Sequence, residues 1–453
     1  MKRILSLLVA IVAIFTVSAQ SPEAVRESLG KYPNLAATVL STYPSIPLGE
    51  VATAPEGFEP FYFSLVGRHG SRYDQKIDRF RNALTVFRRA DSLGILTADG
   101  KVLHKRLQII YNEQKGRDGE LSTLGVKQWQ EISRRAYERF GEVFRSGSVE
   151  AKSSTSLRCV FSMVTFNDAL KALYPSLTIT QNARKMDLGI IRPFVNDPKV
   201  SEVERKIVKE YEEDGEWSEE RKEWDLSNDV SSFISKVTTD SETFIQKCCI
   251  KSPGSSARYV LTSLVMAENF NAGDRELLTR LFTVDEMYRI YVYNAIGWAT
   301  VSMGRGNDYA ETRQSHMRTL VEDILDKAEA AIEGKNPNVA NLRFTHDSYV
   351  GPLISAIGYD GCVPQWSKDI EATATSYNHG LVVPMAANLQ IVLYRNKQGE
   401  VLVRSLLNER DATLPIKCAT APFYPWKDFA KYIRANMNRF DKAAERVMKK
   451  HNK

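Results

Sequence analysis

The feature that most constrains the fold is a short apolar segment, residues 61–66, which runs directly into a loop with two glycines, residues 67–73. A short run of this kind, apolar except for Ser64, is typical of a strand that is buried on both faces. A helix-like segment begins at about Asp78. A strand, a tight turn and a helix in this order place the loop at the carboxyl edge of an α/β sheet, where such sheets bind ligands. The loop is therefore the first candidate for a functional site.

The same alternation of strands and helices recurs along the chain, and it predicts an α/β fold. We expect a split core in which a mostly parallel sheet carries helices on both faces. Two apolar runs separated by a polar turn around Gly399 predict a hairpin near the C-terminus. The other predicted strands are residues 149–153 and 342–344, the hairpin strands are residues 389–394 and 401–406, and the predicted helices begin at Ser122, Leu157 and Met317.

The middle of the chain has a different pattern. Residues 175–310 include highly charged stretches, and helix-like runs dominate them. We therefore expect a mostly helical cap, residues 175–310, inserted into a discontinuous α/β core that consists of residues 20–174 and 311–453. No Pro/Gly-rich linker marks the boundaries between these parts.

The N-terminal residues 1–19 have the pattern of an export signal peptide. Lys2 and Arg3 precede an apolar run, and small residues ending at Ala19 form a cleavage site. The apolar run is short for a membrane span, which favours a cleaved signal over an uncleaved anchor. We expect an exported protein, periplasmic or extracellular, with no integral membrane segment after cleavage.

The charge of the chain excludes one broad class of partner. The formal net charge is +6, and it falls to +4 when Lys2 and Arg3 are removed with the signal. For 453 residues this is a weak basic bias, and it argues against a dedicated nucleic-acid-binding protein. It is compatible with a local basic pocket for an anionic small molecule. The sequence does not predict the oligomeric state.

Five cysteines are too few for a disulfide scaffold, although export would permit disulfides. An odd number leaves at least one thiol unpaired within the chain. Two alternatives stay open near the C-terminus: a disulfide between Cys362 and Cys418, which both lie in predicted loops, or free thiols. No cysteine and histidine cluster has the spacing of a zinc site, so we expect neither a metal nor another cofactor.

The loop at residues 67–73 contains side chains that suit phosphoryl chemistry. Its glycines permit a sharp turn and a close approach of the backbone to a ligand. Arg68 and Arg72 offer planar guanidinium groups that match phosphate oxygens. His69 lies between them, and a neutral imidazole is a competent nucleophile near neutral pH. The neighbouring guanidinium charges are expected to keep that imidazole unprotonated.

Two further groups follow predicted strands. His346 and Asp347 come directly after Phe344, and the pair offers an anion-binding imidazole and a carboxyl that can protonate a leaving oxygen. Arg158 stands at the junction after the strand at residues 149–153 and is expected to point to the same sheet edge. Each motif is short enough to occur by chance. Together they supply a nucleophile, a proton donor and an anion clamp.

These motifs resemble the histidine phosphatase superfamily, and in particular its histidine acid phosphatase branch, which includes phytases and multiple inositol polyphosphate phosphatases. The resemblance spans most of the mature chain and keeps the family's order. Besides the residues already named, it includes Gly119-Glu120-Leu121-Ser122-x-x-Gly125 and Val383-Pro384-Met385-Ala386-Ala387-Asn388-Leu389.

The resemblance implies a mechanism of two displacements. His69 attacks phosphorus and becomes a phosphohistidine, Asp347 protonates the departing alcohol, and water then releases phosphate. Charge spreads over the phosphoryl oxygens in the transition state, so these oxygens need positive partners. The family requires no metal. The side chains that the resemblance assigns to the phosphoryl oxygens are Arg68, Arg72, Arg158 and His346.

The chain departs from the family pattern at several positions. Cys159 replaces the usual threonine after the clamp arginine. Residues 73–76 replace the Pro-Thr and Lys with which phytases commonly continue their loop, and Asp74 adds negative charge at the rim, which opposes a polyanion. The pair His346 and Asp347 matches acid phosphatases and phytases, whereas inositol polyphosphate phosphatases often carry His-Ala-Glu.

We therefore expect an exported phosphomonoesterase that acts on small organic phosphate esters, with inositol polyphosphates and phytate among the candidate substrates. A phosphoglycerate-mutase-like phosphotransferase would share the Arg-His-Gly loop, but the export signal and the large insertion argue against it. A non-catalytic binder of phosphorylated ligands would use the same clamp, but it would not need His69 and Asp347.

Overall fold

A computed structural model describes residues 21–193, 217–303, 312–365, 367 and 369–451. The predicted export signal, residues 1–19, lies outside these ranges. Residues 194–216 and 304–310 of the predicted cap also lie outside them.

The strands form a single mixed sheet at the centre of the described structure. They are β1 (Glu59–Arg68), β2 (Ser148–Ser153), β3 (Ile179–Asn182), β4 (Asn338–Thr345), β5 (Asn388–Arg395), β6 (Val401–Leu407), β7 (Arg410–Ala412) and β8 (Phe423–Pro425). Their order is β3-β2-β4-β1-β5-β6-β7, and β8 pairs with β6. The first four run parallel, and the predicted hairpin β5–β6 continues the sheet in the antiparallel direction. The predicted α/β class is confirmed.

The parallel half of the sheet brings three predicted strand ends to one edge. Gly67 of β1 pairs with Phe344 of β4, and Phe344 pairs on its other side with Ser153 of β2. The chain therefore leaves β1, β2 and β4 at neighbouring points of the carboxyl edge.

Both faces of β1 are covered. Phe63 and Leu65 belong to a core that contains Trp129, whereas Tyr62 and Val66 belong to a second core. This alternation follows from the two-residue period of a strand, and it explains why residues 61–66 of β1 are apolar except for Ser64.

The helices pack around this sheet and form a layer beside it. They are α1 (Pro22–Lys31), α2 (Asp78–Ser92), α3 (Ala98–Gln114), α4 (Thr123–Arg145), α5 (Leu157–Leu173), α6 (Leu188–Ile191), α7 (Trp217–Leu226), α8 (Ser231–Val237), α9 (Ser241–Thr243), α10 (Pro253–Glu268), α11 (Arg275–Leu281), α12 (Val284–Met303), α13 (Arg318–Ile332), α14 (Asp347–Ile357), α15 (Ile370–Thr375), α16 (His379–Val382) and α17 (Trp426–His451). None of the helices in the described ranges combines the length and the apolar character that a membrane crossing requires.

The helical layer is built from two parts of the chain. α7 to α12 lie within the predicted cap range, 175–310, but β3 also lies there, so the sheet extends past residue 174. α2 and α3, which precede that range, pack against α10. The layer beside the sheet edge therefore combines residues 78–114 with the helices of the middle segment.

All five cysteines are free, so of the two alternatives for Cys362 and Cys418 the structure has the free thiols and not the disulfide. Cys362 is 2% exposed, and burial raises the pKa of its thiol to about 12. The Cys418 thiol is half-buried and lies 3.2 Å from the Oγ1 of Thr420 and 3.4 Å from the carbonyl oxygen of Phe423. Cys362 belongs to the hydrophobic core, and Cys418 lies in a C-terminal loop that packs against the same core.

Candidate active site

Backbone hydrogen bonds tie the loops at the sheet edge to one another. The amide of His69 donates to the carbonyl of Thr345 at 3.0 Å, and the amide of Ser154 donates to the carbonyl of Phe344 at 2.9 Å. The amide of Ala386 donates to the carbonyl of His69 at 3.0 Å. These hydrogen bonds fix the backbone of the predicted site residues. The motif that contains Ala386, which directly precedes β5, is one of the segments that hold it.

His69 is buried, with 1% of its surface exposed. Its Nδ1 lies 2.9 Å from the carbonyl oxygen of Gly70, which can only accept a hydrogen bond, so Nδ1 carries the ring hydrogen and Nε2 keeps its lone pair. Burial, followed by the charges of Arg68 and Arg72, holds the pKa of His69 well below its ordinary value. The imidazole is therefore neutral, as predicted, with an available nucleophilic nitrogen.

Arg68 is fully buried and held from three sides. Its Nη1 donates to the carbonyls of Val39 at 2.6 Å and Val383 at 2.8 Å, and its Nη2 lies 2.8 Å from Oδ2 of Asp347. Burial lowers its pKa to about 10, so the guanidinium remains charged at neutral pH. Its buried Nε has no hydrogen-bond partner among the described residues, and an anion is a natural partner for such a donor.

Arg72 is the second arginine of the loop, and 4% of its surface is exposed. Its Nη1 donates to the carbonyl of Tyr73 at 2.8 Å and lies 3.5 Å from Oδ1 of Asp74. Asp74 also pairs with Arg79 at 2.7 Å. The Asp74 carboxylate is thus engaged by two arginines, and the negative charge that the sequence places at the rim is largely balanced.

Arg158 and His346 form the third part of the clamp. Nη2 of Arg158 lies 3.4 Å from Nδ1 of His346, and Oγ of Ser154 lies 3.2 Å from its Nε2. Because a guanidinium only donates, Nδ1 accepts and Nε2 carries the ring hydrogen. Burial and then the charge of Arg158 lower the pKa of His346 to about 3. The rings of His346 and His69 are 5.5 Å apart.

Asp347 opens α14, and its side chain is 15% exposed. Its Oδ2 lies 2.8 Å from Arg68, and its Oδ1 accepts a hydrogen bond from the amide of Ser348 at 2.9 Å. Burial acts to raise the pKa of this carboxyl, but the charges of Arg68 and Arg72 outweigh it and hold the pKa below the ordinary value. The carboxyl group is therefore ionised at neutral pH.

Cys159 is the residue that departs from the family pattern beside Arg158. Its thiol donates to the carbonyl of Thr345 at 3.2 Å and lies 3.6 Å from Nε2 of His346. Burial raises its pKa to about 12, so the thiol is protonated and unreactive as a nucleophile. At this position the thiol, instead of the hydroxyl of the family's usual threonine, is the small buried hydrogen-bond donor.

Glycines allow the loop to pack directly on α4. A Cβ atom on Gly70 would lie 2.6 Å from the carbonyl oxygen of Gly125, and a Cβ atom on Gly125 would lie 2.2 Å from the carbonyl oxygen of Ser71. A Cβ atom on Gly67 would lie 2.4 Å from the ring of Trp129. Gly70 and Gly125 therefore allow one close contact between the backbones of the loop and α4, and Gly67 leaves room for the ring of Trp129.

Two residues that hold the loop were not identified from the sequence. The amide of Gly70 donates to Oγ of Ser162 at 3.0 Å, and the amide of Ser71 donates to Oε1 of Gln128 at 2.8 Å. Ser162 lies one helical turn after Arg158, and that spacing is a signal that it faces the same site.

Asn269 connects the loop to the helical layer, and no sequence pattern pointed to it. Its Oδ1 accepts from Oγ of Ser71 at 2.7 Å, and its Nδ2 donates to the carbonyl of Leu40 at 2.7 Å. Oγ of Ser122 donates to the carbonyl of Asn269 at 2.5 Å. The end of α10 is therefore fastened to the loop that carries His69.

Arg192 is a further cation near the clamp, and no motif in the sequence points to it. Oγ1 of Thr345 donates to the carbonyl of Ile191 at 2.6 Å, which places the preceding turn beside the end of β4. Nε of Arg192 lies 3.4 Å from the hydroxyl of Tyr349. Its charge contributes to the lowered pKa of His346, after burial and Arg158.

The donor set of the site is basic rather than acidic. Across the described residues, no group of three or more His, Cys, Asp or Glu side chains is arranged to hold a metal ion. The site holds guanidinium groups and neutral imidazoles instead. These groups donate hydrogen bonds, and such donors suit an anion. The arrangement can bind a phosphoryl group, present an imidazole nitrogen to it and bring a carboxyl close to it.

Comparison with known proteins agrees with this geometry. Residues 63–408 match the family model of the histidine phosphatase superfamily, branch 2. No curated protein matches the chain.

Several solved structures are similar. The multiple inositol polyphosphate phosphatase of Bifidobacterium longum in complex with phosphate has a TM-score of 0.71 and 17% identity, over 89% of this chain and 98% of its own. The phytase from D. castellii has a TM-score of 0.63 and 17% identity, over 89% and 85%. The apo phytase of Hafnia alvei has a TM-score of 0.52 and 12% identity, over 85% and 98%. At these identities the likeness establishes the fold.

Proposed function

The chain belongs to branch 2 of the histidine phosphatase superfamily and is a phosphatase, and on that premise we propose that it hydrolyses small organic phosphate monoesters through a phosphohistidine on His69. The observation that carries the proposal is the state of His69. Its Nδ1 is occupied by the carbonyl of Gly70, and its Nε2 is neutral and free for attack. The arginines around it supply the positive field that a phosphoryl group needs.

The first displacement transfers the phosphoryl group from the ester to His69. Nε2 of His69 attacks phosphorus, a nitrogen–phosphorus bond forms, and the bond from phosphorus to the ester oxygen breaks. The departing oxygen takes a proton from the carboxyl of Asp347 and leaves as an alcohol. General acid assistance of this kind contributes typically 10²–10⁴-fold to a rate.

Asp347 is ionised beside Arg68 and Arg72, so it must take that proton from solvent when substrate binds. A phosphate ester that enters the clamp brings negative charge next to Arg68, which otherwise holds the carboxylate at 2.8 Å. This charge offsets the stabilisation of the ionised form and raises the pKa of Asp347. The substrate itself therefore prepares the proton donor.

The second displacement releases phosphate. A water molecule attacks phosphorus opposite Nε2 of His69 and gives its proton to the carboxylate of Asp347. The nitrogen–phosphorus bond breaks and His69 is again a neutral imidazole. Asp347 ends this step protonated, and it loses the proton to solvent when phosphate leaves, which restores its ionised form. Arg68, Arg72, Arg158 and His346 hold the phosphoryl oxygens in both steps.

The substrate and the location of the protein are also proposals. Inositol polyphosphates are candidate substrates because similar solved structures include an inositol polyphosphate phosphatase in complex with inositol hexasulfate. Export to the periplasm or outside the cell is supported by the pattern of residues 1–19. N-terminal sequencing of the exported protein is expected to begin at Gln20, and a mature chain that retains residues 1–19 would contradict export by cleavage.

His69→Ala tests the enzyme directly. Released phosphate is measured with 4-nitrophenyl phosphate and with an alkyl phosphate, and we expect no turnover above background. His104→Ala serves as the matched control, because His104 is half-buried beside Asp91 and belongs to no part of the clamp. Normal turnover by purified His69→Ala protein would overturn the proposal. Phosphate binding without turnover in the unaltered protein would support the non-catalytic alternative instead.

A further inference from the structure

A groove with a volume of about 660 Å³ lies beside Arg158. Its walls are the loop at residues 118–121 and the first turns of α5. The volume falls within the range of about 300–1,000 Å³ that is usual for small-molecule sites. Arg158 belongs to both the groove and the clamp, since its Nη2 lies 3.4 Å from Nδ1 of His346. The groove is therefore contiguous with the place where a phosphoryl group would bind.

One wall of the groove is apolar and open to solvent. Leu157 is 71% exposed and Phe161 is 54% exposed, and both line the groove one helical turn apart on α5. Leu121, on the facing loop, adds a third apolar side chain to the groove. Adjacent exposed apolar side chains at the rim of a site indicate a surface that contacts a ligand.

The opposite wall carries a surplus of negative charge. Oε2 of Glu120 pairs with Nε of Arg117 at 3.1 Å, but Arg117 also pairs with Glu113 at 3.0 Å, so one cation serves two carboxylates. Asp118 accepts a hydrogen bond from the neutral amide of Gln114 at 3.0 Å. No ion pair of Asp118 is formed within the part of the chain that the structure describes.

The acidic wall is fixed relative to the clamp. The amide of Gly119 donates to the carbonyl of Asp74 at 2.8 Å, and the amide of Tyr73 donates to the carbonyl of Glu120 at 2.9 Å. A Cβ atom on Gly119 would lie 3.6 Å from Nη1 of Arg158. The backbone that carries the two acidic residues is therefore fixed to the loop that carries His69.

We propose that this groove binds the organic part of the ester and selects monophosphates with an uncharged, apolar leaving group over inositol polyphosphates. The inference rests on the proposed function and narrows its substrate class. An aryl or alkyl group that extends past Arg158 gains contact with Leu157 and Phe161. Additional phosphates in the same position face Asp118 and Glu120, and like charges at short range disfavour such a substrate.

The experiment compares kcat/KM for 2-naphthyl phosphate and for myo-inositol hexakisphosphate in the mature protein at fixed ionic strength. We expect the unaltered protein to favour the naphthyl ester. The double variant Asp118→Asn/Glu120→Gln is expected to raise kcat/KM for the hexakisphosphate about tenfold and to change that for the naphthyl ester less than about twofold. The control is Glu131→Gln/Glu138→Gln, because these side chains are 53% and 55% exposed, close to the 53% of Glu120.

The apolar wall is tested with Leu157→Ser/Phe161→Ser. This variant is expected to lower kcat/KM for the naphthyl ester about tenfold and to leave competitive inhibition by inorganic phosphate unchanged. Leu173→Ser is the control, because Leu173 is 42% exposed at the far end of α5. A preference for the hexakisphosphate in the unaltered protein, or a preference that neither double variant shifts, would overturn the inference. If no ester is hydrolysed at all, the proposed function itself fails.

Discussion

At the scale of single residues, burial and charge set protonation states that differ from those of free side chains. His69 is neutral because burial and two arginines oppose a further positive charge. Asp347 is ionised because the same arginines outweigh its burial. The arginines of the clamp therefore do more than bind phosphate. They keep the nucleophile His69 neutral before substrate arrives, and once they are engaged by substrate they no longer hold Asp347 in its ionised form.

The neutral state of His69 predicts its titration. Because the pKa lies well below 6.5, lowering the pH from 7 to 5 should leave the imidazole unprotonated. NMR of ¹⁵N-histidine-labelled protein is expected to show the Nδ1-protonated neutral tautomer of His69 across this range. The assignment would come from the loss of one signal set in His69→Ala. A midpoint between pH 6 and pH 7 would contradict the account.

The role of Asp347 predicts a dependence on the leaving group. Asp347→Asn removes the proton donor, so hydrolysis of an alkyl phosphate should fall by about 10²–10⁴-fold. Hydrolysis of 4-nitrophenyl phosphate should fall much less, because nitrophenolate leaves without a proton. The comparison is made on kcat/KM for both esters with the same preparation, because kcat/KM reports the first displacement and not the second, in which Asp347 acts as a base for either ester. Equal losses for the two esters would indicate that Asp347 acts through structure instead.

At the scale of elements, the site is formed where three parallel strands end at the same edge of the sheet. The apolar run before Gly67, the alternation before Arg158 and the strand before His346 were each readable in the sequence, and parallel pairing brings their ends together. The side chains that hold the loop in place could not be predicted from the sequence in the same way. Asn269 reaches Ser71 across a large sequence separation, and no local period encodes such a contact.

The cysteines show the same limit. Position in a C-terminal loop favoured a bond between Cys362 and Cys418, but the burial of Cys362 depends on how the helices around it pack. Arg192 was missed for a related reason. It becomes important only because Thr345 fastens the turn at Ile191 beside the strand end.

The contact of the His69 loop with α4 predicts the effect of one methyl group. Gly70→Ala places a Cβ atom 2.6 Å from a backbone oxygen of Gly125, which cannot move aside as a side chain would. We expect a loss of about 1–3 kcal/mol in the free energy of unfolding and a large loss of kcat, measured by chemical denaturation and by turnover.

Gly49→Ala is the matched control for this substitution. A Cβ atom on Gly49 meets no atom within 4 Å, so its effect should stay within about 0.5 kcal/mol. Equal stability and equal turnover for the two variants would contradict the close packing of the loop on α4.

At the scale of the whole molecule, distant parts of the chain are joined by buried charge. Glu409 has no exposed surface, and it pairs with Arg135 at 2.7 Å and Arg139 at 3.2 Å. The hydroxyl of Tyr43 donates to it at 2.6 Å. The N-terminal segment, α4 and the turn after β6 therefore meet at one carboxylate.

This junction predicts a global effect on stability. Glu409→Gln leaves two guanidinium groups without their buried counter-charge, and we expect a loss of about 2–3 kcal/mol in the free energy of unfolding. Glu142→Gln is the control, because its pair with Arg145 is exposed and 3.7 Å long, and such pairs contribute less than about 1 kcal/mol. Denaturant titration followed by circular dichroism measures both. A loss for Glu409→Gln no larger than that for the control would contradict the account.

The central claim is that His69 carries the phosphoryl group between the two displacements. The most direct test is rapid-quench labelling with a ³²P-labelled aryl phosphate under alkaline conditions, which preserve phosphohistidine, followed by peptide mapping. The account predicts label on the peptide that contains His69, formed faster than phosphate is released and absent from His69→Ala. Turnover without labelled His69, or label on another residue, would contradict it.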